Sequence, residues 1–275
     1  VYKRQVDDIH SYQNEADIPL LIGVDEEGGT VVRVSSNPIL RETPFLSPKD
    51  TYADGGWDAV KQDTEEKADL LLSLGINVNL APVCDMTSDE YGFMYDRSFS
   101  SDVDMENRYV RTVVETSKSK KLGTVLKHFP GYGNNSDTHT GIAYDDRDYS
   151  EFENTDFKPF YQGIESGADC ILVSHNIVNC MDSEYPASLS QKVHDILRNE
   201  FKFDGVIMTD DLIMDAITDF TGDEAAAVTA AKCGNDLLCC SSVDTQYPAV
   251  LEAVQNGEIS EAQVDASVKL SLIHI

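Results

Sequence analysis

The sequence predicts an α/β fold, and within that class a (β/α)8 TIM barrel, from three observations. Apolar segments of strand length alternate with amphipathic segments of helix length along the chain. The strand segments are apolar throughout, as expected for strands covered on both faces of a parallel sheet. Five of the six strand segments end in polar, chemically capable residues. A barrel gathers all its strand ends around one mouth, whereas a doubly wound sheet uses mainly one switch point, so the barrel is favoured.

Gly, Pro and polar residues bound each predicted element. The predicted strands cover residues 20–24, 76–83, 123–126, 170–173, 205–208 and 236–240. The predicted helices cover residues 6–16, 57–74, 102–120, 152–166, 188–200, 223–233, 247–255 and 260–269. Gly75 and Gly167 end two of these helices, and Ser190 is a possible N-cap of another.

The polar strand ends predict where the chemistry lies. They are Asp25, Asp85, Lys127 with His128, His175 and Asp210. The chain contains neither a Gly-x-Gly-x-x-Gly segment nor a Walker loop, which disfavours nucleotide binding. We therefore expect acid–base and nucleophilic chemistry at the strand ends, with no cofactor and no metal.

The loop after the third strand is the part of the chain around which a site is predicted. Pro130, Gly131 and Gly133 exclude both a helix and a regular strand there. The same loop carries Asp137 and His139. A single histidine in a polar loop is ordinarily a solvated side chain. Two histidines, a lysine and an aspartate within residues 127–139 favour a functional site instead.

The composition excludes some partners. The 275 residues include 49 Asp plus Glu and only 21 Lys plus Arg, for a net charge of −28. Such a field repels nucleic-acid backbones and anionic membrane surfaces, and no apolar segment is long enough to span a bilayer. The six cysteines show no metal-ligand spacing, and we expect reduced thiols. Reduced thiols suit a cytoplasm or an anaerobic exterior, so the cytoplasm is favoured and a secreted or cell-surface location is the alternative.

Asp210 is the candidate nucleophile. A carboxylate fixed and partly desolvated at a strand end suits glycoside transfer, which needs an anion close to the anomeric carbon. The alternative is that Asp210 or Asp211 merely caps the next helix, and Asp211 is the better candidate for that role.

His139 is the candidate general acid, because the unperturbed pKa of histidine lies near neutrality. Asp137 is placed to hold the other imidazole nitrogen. The cations Arg33, Arg97 and Lys127 can bind sugar hydroxyls, and Asp25 can accept hydrogen bonds from two hydroxyls. Taken singly, each of these charges is more often a solvated group or an ion-pair member.

Several motifs together resemble the signature of family-three glycoside hydrolases, in the β-N-acetylglucosaminidase (β-N-acetylhexosaminidase) branch. They are Val24-Asp25-Glu26-Glu27-Gly28-Gly29 with Arg33, Arg97-Ser98-Phe99, Lys127-His128-Phe129-Pro130-Gly131 with Asp137-Thr138-His139, and residues 205–212 with Met214. The resemblance runs in the family's order from about residue 19 to residue 269.

The resemblance implies a bacterial exo-glycosidase with a (β/α)8 barrel that acts through a covalent glycosyl-enzyme and retains the anomeric configuration. The implied substrates end in β-linked N-acetylglucosamine, as in peptidoglycan turnover or chitooligosaccharide breakdown. By position, Asp210 is the nucleophile, and His139 with Asp137 forms the acid/base dyad. The residues implied to bind the sugar are Asp25, Arg33, Arg97, Lys127, His128 and Met214.

Two departures fall on the catalytic loop. Tyr132 stands where the family commonly has histidine, and the segment between Gly133 and Asp137 is one residue shorter than usual. The alternatives are a β-glucosidase or another exo-hydrolase of the same family, and a non-catalytic sugar-binding barrel. The Asp-x-His pair argues against the β-glucosidase branch, which usually takes its acid from a glutamate in a second domain.

The family's order also carries an expectation about the chain ends. Two strands and most of their helices would precede residue 6, so we expect residues 1–275 to form a single, N-terminally truncated barrel domain lacking strands 1–2. Such a domain is expected to be poorly soluble or inactive, because an open sheet leaves unpaired edges and uncovered core residues. The alternative is a complete protein that closes its barrel with six strands or with a second chain.

Overall fold

The computed structural model of the protein describes residues 2–135, 137–138 and 141–273. The strands in this part of the chain are β1 Gly23–Val24, β2 Val78–Asn79, β3 Gly123–Phe129, β4 Tyr144–Asp145, β5 Cys170–Val173, β6 Ile177–Val178 and β7 Val206–Thr209. The main sheet has the order β1-β2-β3-β5-β7 and every pair in it is parallel. The strands therefore follow one another as in a barrel wall, and the sheet curls as half a barrel.

Helices alternate with the strands along the chain and pack against the sheet and against one another. They are α1 Tyr2–Glu15, α2 Pro48–Ser73, α3 Val103–Lys120, α4 Tyr149–Asn154, α5 Phe157–Glu165, α6 Gln191–Asp195, α7 Asp215–Thr218, α8 Asp223–Lys232, α9 Val243–Gln255 and α10 Glu261–Ile273. A 3-10 turn at Ala187–Leu189 and a π turn at Ile196–Glu200 flank α6. Among the described residues, no helix has both the length and the apolar character needed to cross a membrane.

The predicted parallel α/β fold is confirmed, with differences in its elements. The strand predicted at 170–173 matches β5, and Ser190 caps α6 by accepting a hydrogen bond from the Val193 N–H. The strand predicted at 236–240 is wrong, because only Leu237 bridges Met208 there. The backbone N–H of Cys239 donates to the side-chain hydroxyl of Thr209 at 3.0 Å. Because this N–H bonds a side chain, the backbone pairing between β7 and the segment at 236–240 does not continue.

The helix predicted at 152–166 is also wrong, since it is divided into α4 and α5 between Asn154 and Phe157. Thr155 adopts a non-helical conformation at the end of α4, and its hydroxyl bonds back to the Glu151 carbonyl at 2.6 Å. The helix predicted at 57–74 is confirmed as the second part of α2, because Gly55 and Gly56 have non-helical φ and ψ and separate it from a first part. That first part, which begins at Pro48 and is capped by Ser47, was not predicted.

The core lies between the sheet and its helices. Leu126 of β3, Ile171 of β5 and Ile207 of β7 are fully buried, and Phe129 packs against aromatic rings of the helical layer. Replacing such a phenylalanine by alanine typically costs about 3–5 kcal/mol. This packing fixes the strands, so the residues at their carboxyl ends have set positions.

Candidate active site

A cavity of about 540 Å³ opens at the carboxyl ends of the main strands. Seven of the predicted site residues line it: Asp25, Arg33, Arg97, Lys127, His128, Asp210 and Met214. These residues come from segments far apart in the chain, and the parallel sheet brings them together because all its strands end on the same side. The predicted mouth is therefore present, with mixed charges on its walls.

Adjacent residues on a regular strand point to opposite faces, yet both Lys127 and His128 line the cavity. The register between β3 and β5 shifts between Leu126 and Phe129, as at a β-bulge. The regular alternation of side chains is therefore interrupted between Leu126 and Phe129.

Lys127 lies at the centre of a buried charge network. Its Nζ is 2.7 Å from Asp25 Oδ1 and 2.6 Å from Glu27 Oε1. The guanidinium of Arg97 also donates two hydrogen bonds to Glu27, from Nε at 2.9 Å and from NH2 at 2.7 Å. Burial alone would raise the pKa of the Glu27 carboxyl, but Lys127 and Arg97 outweigh burial and lower that pKa to about 2. The carboxylate of Glu27 therefore fixes both cations at neutral pH.

His128 is held by the buried carboxylate of Asp85. Asp85 Oδ2 lies 2.7 Å from the His128 Nδ1 and 3.0 Å from the His128 backbone N, and Asp85 Oδ1 accepts the Tyr132 N–H at 2.7 Å. Because the carboxylate can only accept, Nδ1 of His128 carries a proton and donates it to Asp85. The other ring nitrogen, Nε2, lies 3.3 Å from Arg97 NH2. Asp85 thus orients the imidazole and the start of the following loop.

Asp210 faces the cavity from the opposite wall, directly after β7. Its backbone N–H donates to the Val173 carbonyl at 3.2 Å, and its Oδ1 accepts the Asp211 N–H at 2.8 Å. Burial works to raise the pKa of the Asp210 carboxyl, but His175 and His128 outweigh it and keep that pKa below its usual value. The carboxylate is therefore ionised at neutral pH.

The neighbouring Asp211 does not cap a helix, so that expectation is wrong. Helix α7 begins only at Asp215, and Asp211 instead accepts the N–H groups of Ile213 at 3.3 Å and Ser241 at 3.2 Å. Its side chain closes the turn that follows Asp210 and ties it to the segment after the Leu237 bridge. The backbone carbonyl of Asp211 lies 3.0 Å from Nε2 of the buried His175. Both residues fix the backbone behind the candidate nucleophile.

Arg33 and Met214 lie at the rim and the wall of the cavity. The backbone N–H of Arg33 donates to Oε2 of the fully buried Glu26 at 2.8 Å, which fixes the backbone beneath an exposed guanidinium. Met214 is buried and, with the cavity-lining Leu172, gives one wall an apolar surface.

The loop after β3 starts from a buried aromatic residue. Tyr132 packs edge-on against the His128 ring, with centroids 5.3 Å apart, and its hydroxyl is hydrogen-bonded to Thr138. Asp137 precedes Thr138 on this loop and, among the described residues, is not one that lines the cavity. The predicted general acid His139 lies outside the described residues, so its role stays a prediction.

Glu27 and Asp85 are the site residues whose roles the sequence did not reveal. Asp85 was identified only as a strand end, and Glu27 only as part of an acidic motif. The signal for Glu27 was its place two residues after Asp25. Across residues 2–135, 137–138 and 141–273, no group of three or more His, Cys, Asp or Glu side chains is arranged to hold a metal ion.

Comparisons with known proteins agree with the resemblance seen in the motifs. The sequence profile described as "Glycosyl hydrolase family 3 N terminal domain" matches residues 3–272. A protein named beta-hexosaminidase from Hydrogenovibrio crunogenus is 32% identical over 267 residues, covering 93% of this chain and 74% of that protein. Another beta-hexosaminidase, from Nitrosomonas eutropha, is 32% identical over 234 residues, covering 82% of this chain and 66% of the relative.

Among solved structures, a glycoside hydrolase family 3 beta-N-acetylglucosaminidase from Paenibacillus sp. str. FPU-7 superposes with a TM-score of 0.92 at 29% identity. The alignment covers 99% of this chain and 53% of that one. The chain thus spans about half the length of this structure and about two thirds to three quarters of the two relatives.

Proposed function

The chain belongs to glycosyl hydrolase family 3, and on that premise we propose that it is a retaining exo-glycosidase that releases terminal β-linked N-acetylglucosamine. We propose muropeptides or chitooligosaccharides as its substrates, and we propose that the 275 residues belong to one catalytic domain. The observation that carries the proposal is one cavity with an ionised Asp210 on one wall and Lys127, Arg97 and His128 on the other.

In the first step, the Asp210 carboxylate attacks the anomeric carbon while the bond to the leaving-group oxygen breaks. That oxygen takes a proton from His139, which Asp137 orients. The product of the step is a covalent glycosyl-enzyme. In the second step, His139 removes a proton from water, the water attacks the anomeric carbon, and the bond to Asp210 breaks. Two displacements restore the original anomeric configuration.

The cationic wall supports recognition of the sugar hydroxyls. An ammonium group has three N–H donors, and the described contacts of Lys127 with Asp25 and Glu27 engage two of them. The third can donate to a hydroxyl, while the partly exposed Asp25 can accept from one. Arg33 at the rim and the imidazole of His128 provide further partners. Because Glu27 already fixes the two cations, binding loses little side-chain entropy.

The N-acetyl preference rests on two considerations. The relatives with the highest similarity reported above are named beta-hexosaminidases, and the similar solved structure is described as a beta-N-acetylglucosaminidase. The apolar surface of Met214 and Leu172 provides a place for an acetyl methyl group, which favours an acetamido sugar over one with only hydroxyls.

A panel of nitrophenyl glycosides tests the proposal. We expect hydrolysis of the β-N-acetylglucosaminide to be faster than that of the β-glucoside, with the β-anomer of the free sugar released first by NMR. Preference for the β-glucoside would identify the other branch of the family. Sugar binding without cleavage of any member would identify a non-catalytic sugar-binding protein, and first release of the α-anomer would overturn the retaining mechanism.

A further inference from the structure

Arg147 lies at the centre of a second ionic cluster, separate from the charge network around Lys127. Its Nε is 3.1 Å from each carboxylate oxygen of Asp145, and its NH2 is 2.8 Å from Asp145 Oδ2. Its NH1 donates to Asp156 Oδ2 at 2.9 Å. Both carboxylates are buried, and the guanidinium lies over the Phe152 ring at 4.2 Å. The sugar-binding and nucleophilic roles proposed above use none of these groups.

This cluster holds the start of the loop that leaves β3. Arg147 NH2 donates to the Gly131 carbonyl at 3.3 Å. A Cβ atom on Gly133 would lie only 2.7 Å from Arg147 Cζ, so the guanidinium packs directly on the loop backbone. A Cβ on Gly131, whose φ is +120°, would overlap Asp156. Both glycines therefore allow the backbone to approach the ion cluster closely.

The same cluster holds the returning end of the loop. Asp145 belongs to β4, which pairs in parallel with β6 directly after β5. The Asn179 N–H donates to the Asp145 carbonyl at 2.9 Å, and Asn135 Nδ2 donates to Asp145 Oδ2 at 2.7 Å. The Asp145 carboxylate therefore contacts both Arg147 and Asn135 of the loop, while the Asp145 backbone belongs to the strand pair that closes the loop.

We propose that Arg147 is a positioning residue that sets the placement of the loop carrying Asp137 and His139. The guanidinium has five donors in a rigid fork, which lets it engage Asp145, Asp156 and the Gly131 carbonyl together. A lysine keeps the charge but has a single ammonium that cannot reach all three in this geometry. The inference rests on the proposed function, because it is the acid/base dyad that the loop would carry.

The test is Arg147→Lys with a leaving-group series of aryl and alkyl β-N-acetylglucosaminides. Protonation matters most for poor leaving groups, and kcat/KM reports the first step alone. A misplaced acid should lower kcat/KM by about 100-fold for chitobiose. For the dinitrophenyl glycoside, whose departure needs no protonation, we expect a loss below about threefold. His139→Ala should show the same dependence, more steeply, and provides the reference.

Arg198→Lys is the matched control. Arg198 also joins a carboxylate, Asp236 at 2.6 Å, to backbone carbonyls, those of Phe203 at 2.8 Å and Gly205 at 2.7 Å, but away from the loop. Its replacement should change kcat/KM by the same factor for every leaving group, as any loss of folded enzyme would. A uniform loss in Arg147→Lys as well would overturn the positioning role.

Amide hydrogen exchange provides a readout that does not depend on activity. Peptides covering residues 131–145 should exchange faster in Arg147→Lys than in the unsubstituted protein, and remain unchanged in Arg198→Lys. Equal exchange in all three proteins would overturn the inference. If the unsubstituted protein cleaved no glycoside but Arg147→Lys accelerated exchange in this segment, the proposed function would fail while the role of Arg147 in ordering the loop stood.

Discussion

The two walls of the cavity differ in how their charged side chains are paired. On the wall formed by the ends of β1, β2 and β3, three side chains are paired with carboxylates: Lys127 with Asp25 and Glu27, Arg97 with Glu27, and His128 with Asp85. On the wall formed by the end of β7, the hydrogen bond that the Asp210 side chain accepts, among the described residues, comes from the adjacent Asp211 N–H. The side chains of the first wall are therefore held in place by ion pairs before substrate binds. The second wall presents a carboxylate that accepts few hydrogen bonds from the described residues.

The difference follows from the work proposed for each wall. Hydroxyl recognition needs donors and acceptors held in fixed directions, and internal ion pairs provide that order. A nucleophile must keep its lone pairs available, so its charge is favoured by nearby positive groups instead of by direct ion pairing. His175 and His128 do this for Asp210, whose pKa stays below its usual value despite burial. Substitutions on the two walls should therefore have different signatures.

The largest effect is expected at Asp210. Removing one preorganised hydrogen-bond donor from an active site lowers kcat by up to about 10³-fold. Asp210→Ala removes the group that forms the covalent bond, so it should lower kcat by more than that. Azide should restore part of the rate and yield the α-glycosyl azide, because it occupies the space of the missing carboxylate. The free energy of unfolding should change little, since the carboxylate makes few contacts.

Asp211→Ala is the control for this prediction. Asp211 closes the turn through Ile213 and Ser241, so its loss should affect stability more than chemistry, without rescue by azide. Near-normal turnover of Asp210→Ala would disprove the assignment of the nucleophile.

The second effect is expected at Glu27 and concerns stability. The pKa of its carboxyl is lowered from 4.5 to about 2, so its ionised form stabilises the fold fully above pH 4.5 and less as the pH falls towards 2. Glu27→Gln leaves Lys127 and Arg97 without their shared carboxylate and should cost about 3 kcal/mol at pH 7. The difference in free energy of unfolding between Glu27→Gln and the unsubstituted protein should become smaller below pH 4.5. Urea unfolding of both proteins between pH 7 and pH 3 measures this difference.

Glu66→Gln provides the surface comparison. Glu66 pairs with Arg41 at 3.1 Å, but both side chains are substantially exposed, and such pairs contribute about 0–1 kcal/mol. A cost at Glu27 no larger than at Glu66, or one independent of pH, would mean that the ordered wall does not depend on its central carboxylate.

The sequence predicted the members of each wall better than their partners. Asp25, Lys127 and Asp210 could be identified because each follows an apolar strand, and a parallel sheet brings such ends together. The pairing of Glu27 with Arg97 could not, because it depends on how two loops meet in space after the sheet has formed. The role of Asp85 was missed for the same reason, since it contacts the backbone of a loop that follows another strand.

The fold shows the same division between local and distant causes. Strand β5 matched its prediction because a short apolar segment between polar residues is a local signal. The segment at 236–240 has the same signal, but the hydroxyl of Thr209 accepts a ladder N–H and limits the strand to one bridge. The pair β4 and β6 is two residues long on each side, too short for any periodicity, and was not predicted.

The smallest effect is expected at Tyr132, where the ordered wall continues into the loop. Its ring packs against His128 and Phe93, while its hydroxyl bonds Thr138, between Asp137 and His139 in the chain. Tyr132→Phe keeps the ring and removes the hydroxyl, a loss of about 1 kcal/mol for a neutral hydrogen bond. We expect kcat/KM for chitobiose to fall by about fivefold, the equivalent of that energy, with a smaller loss for the dinitrophenyl glycoside.

Tyr185→Phe, at an exposed ring, should leave both rates unchanged. A loss at Tyr132→Phe comparable to that at Asp210→Ala would mean that the phenol hydroxyl takes part in the chemistry, and the separation between an ordering wall and a reacting wall would then be wrong.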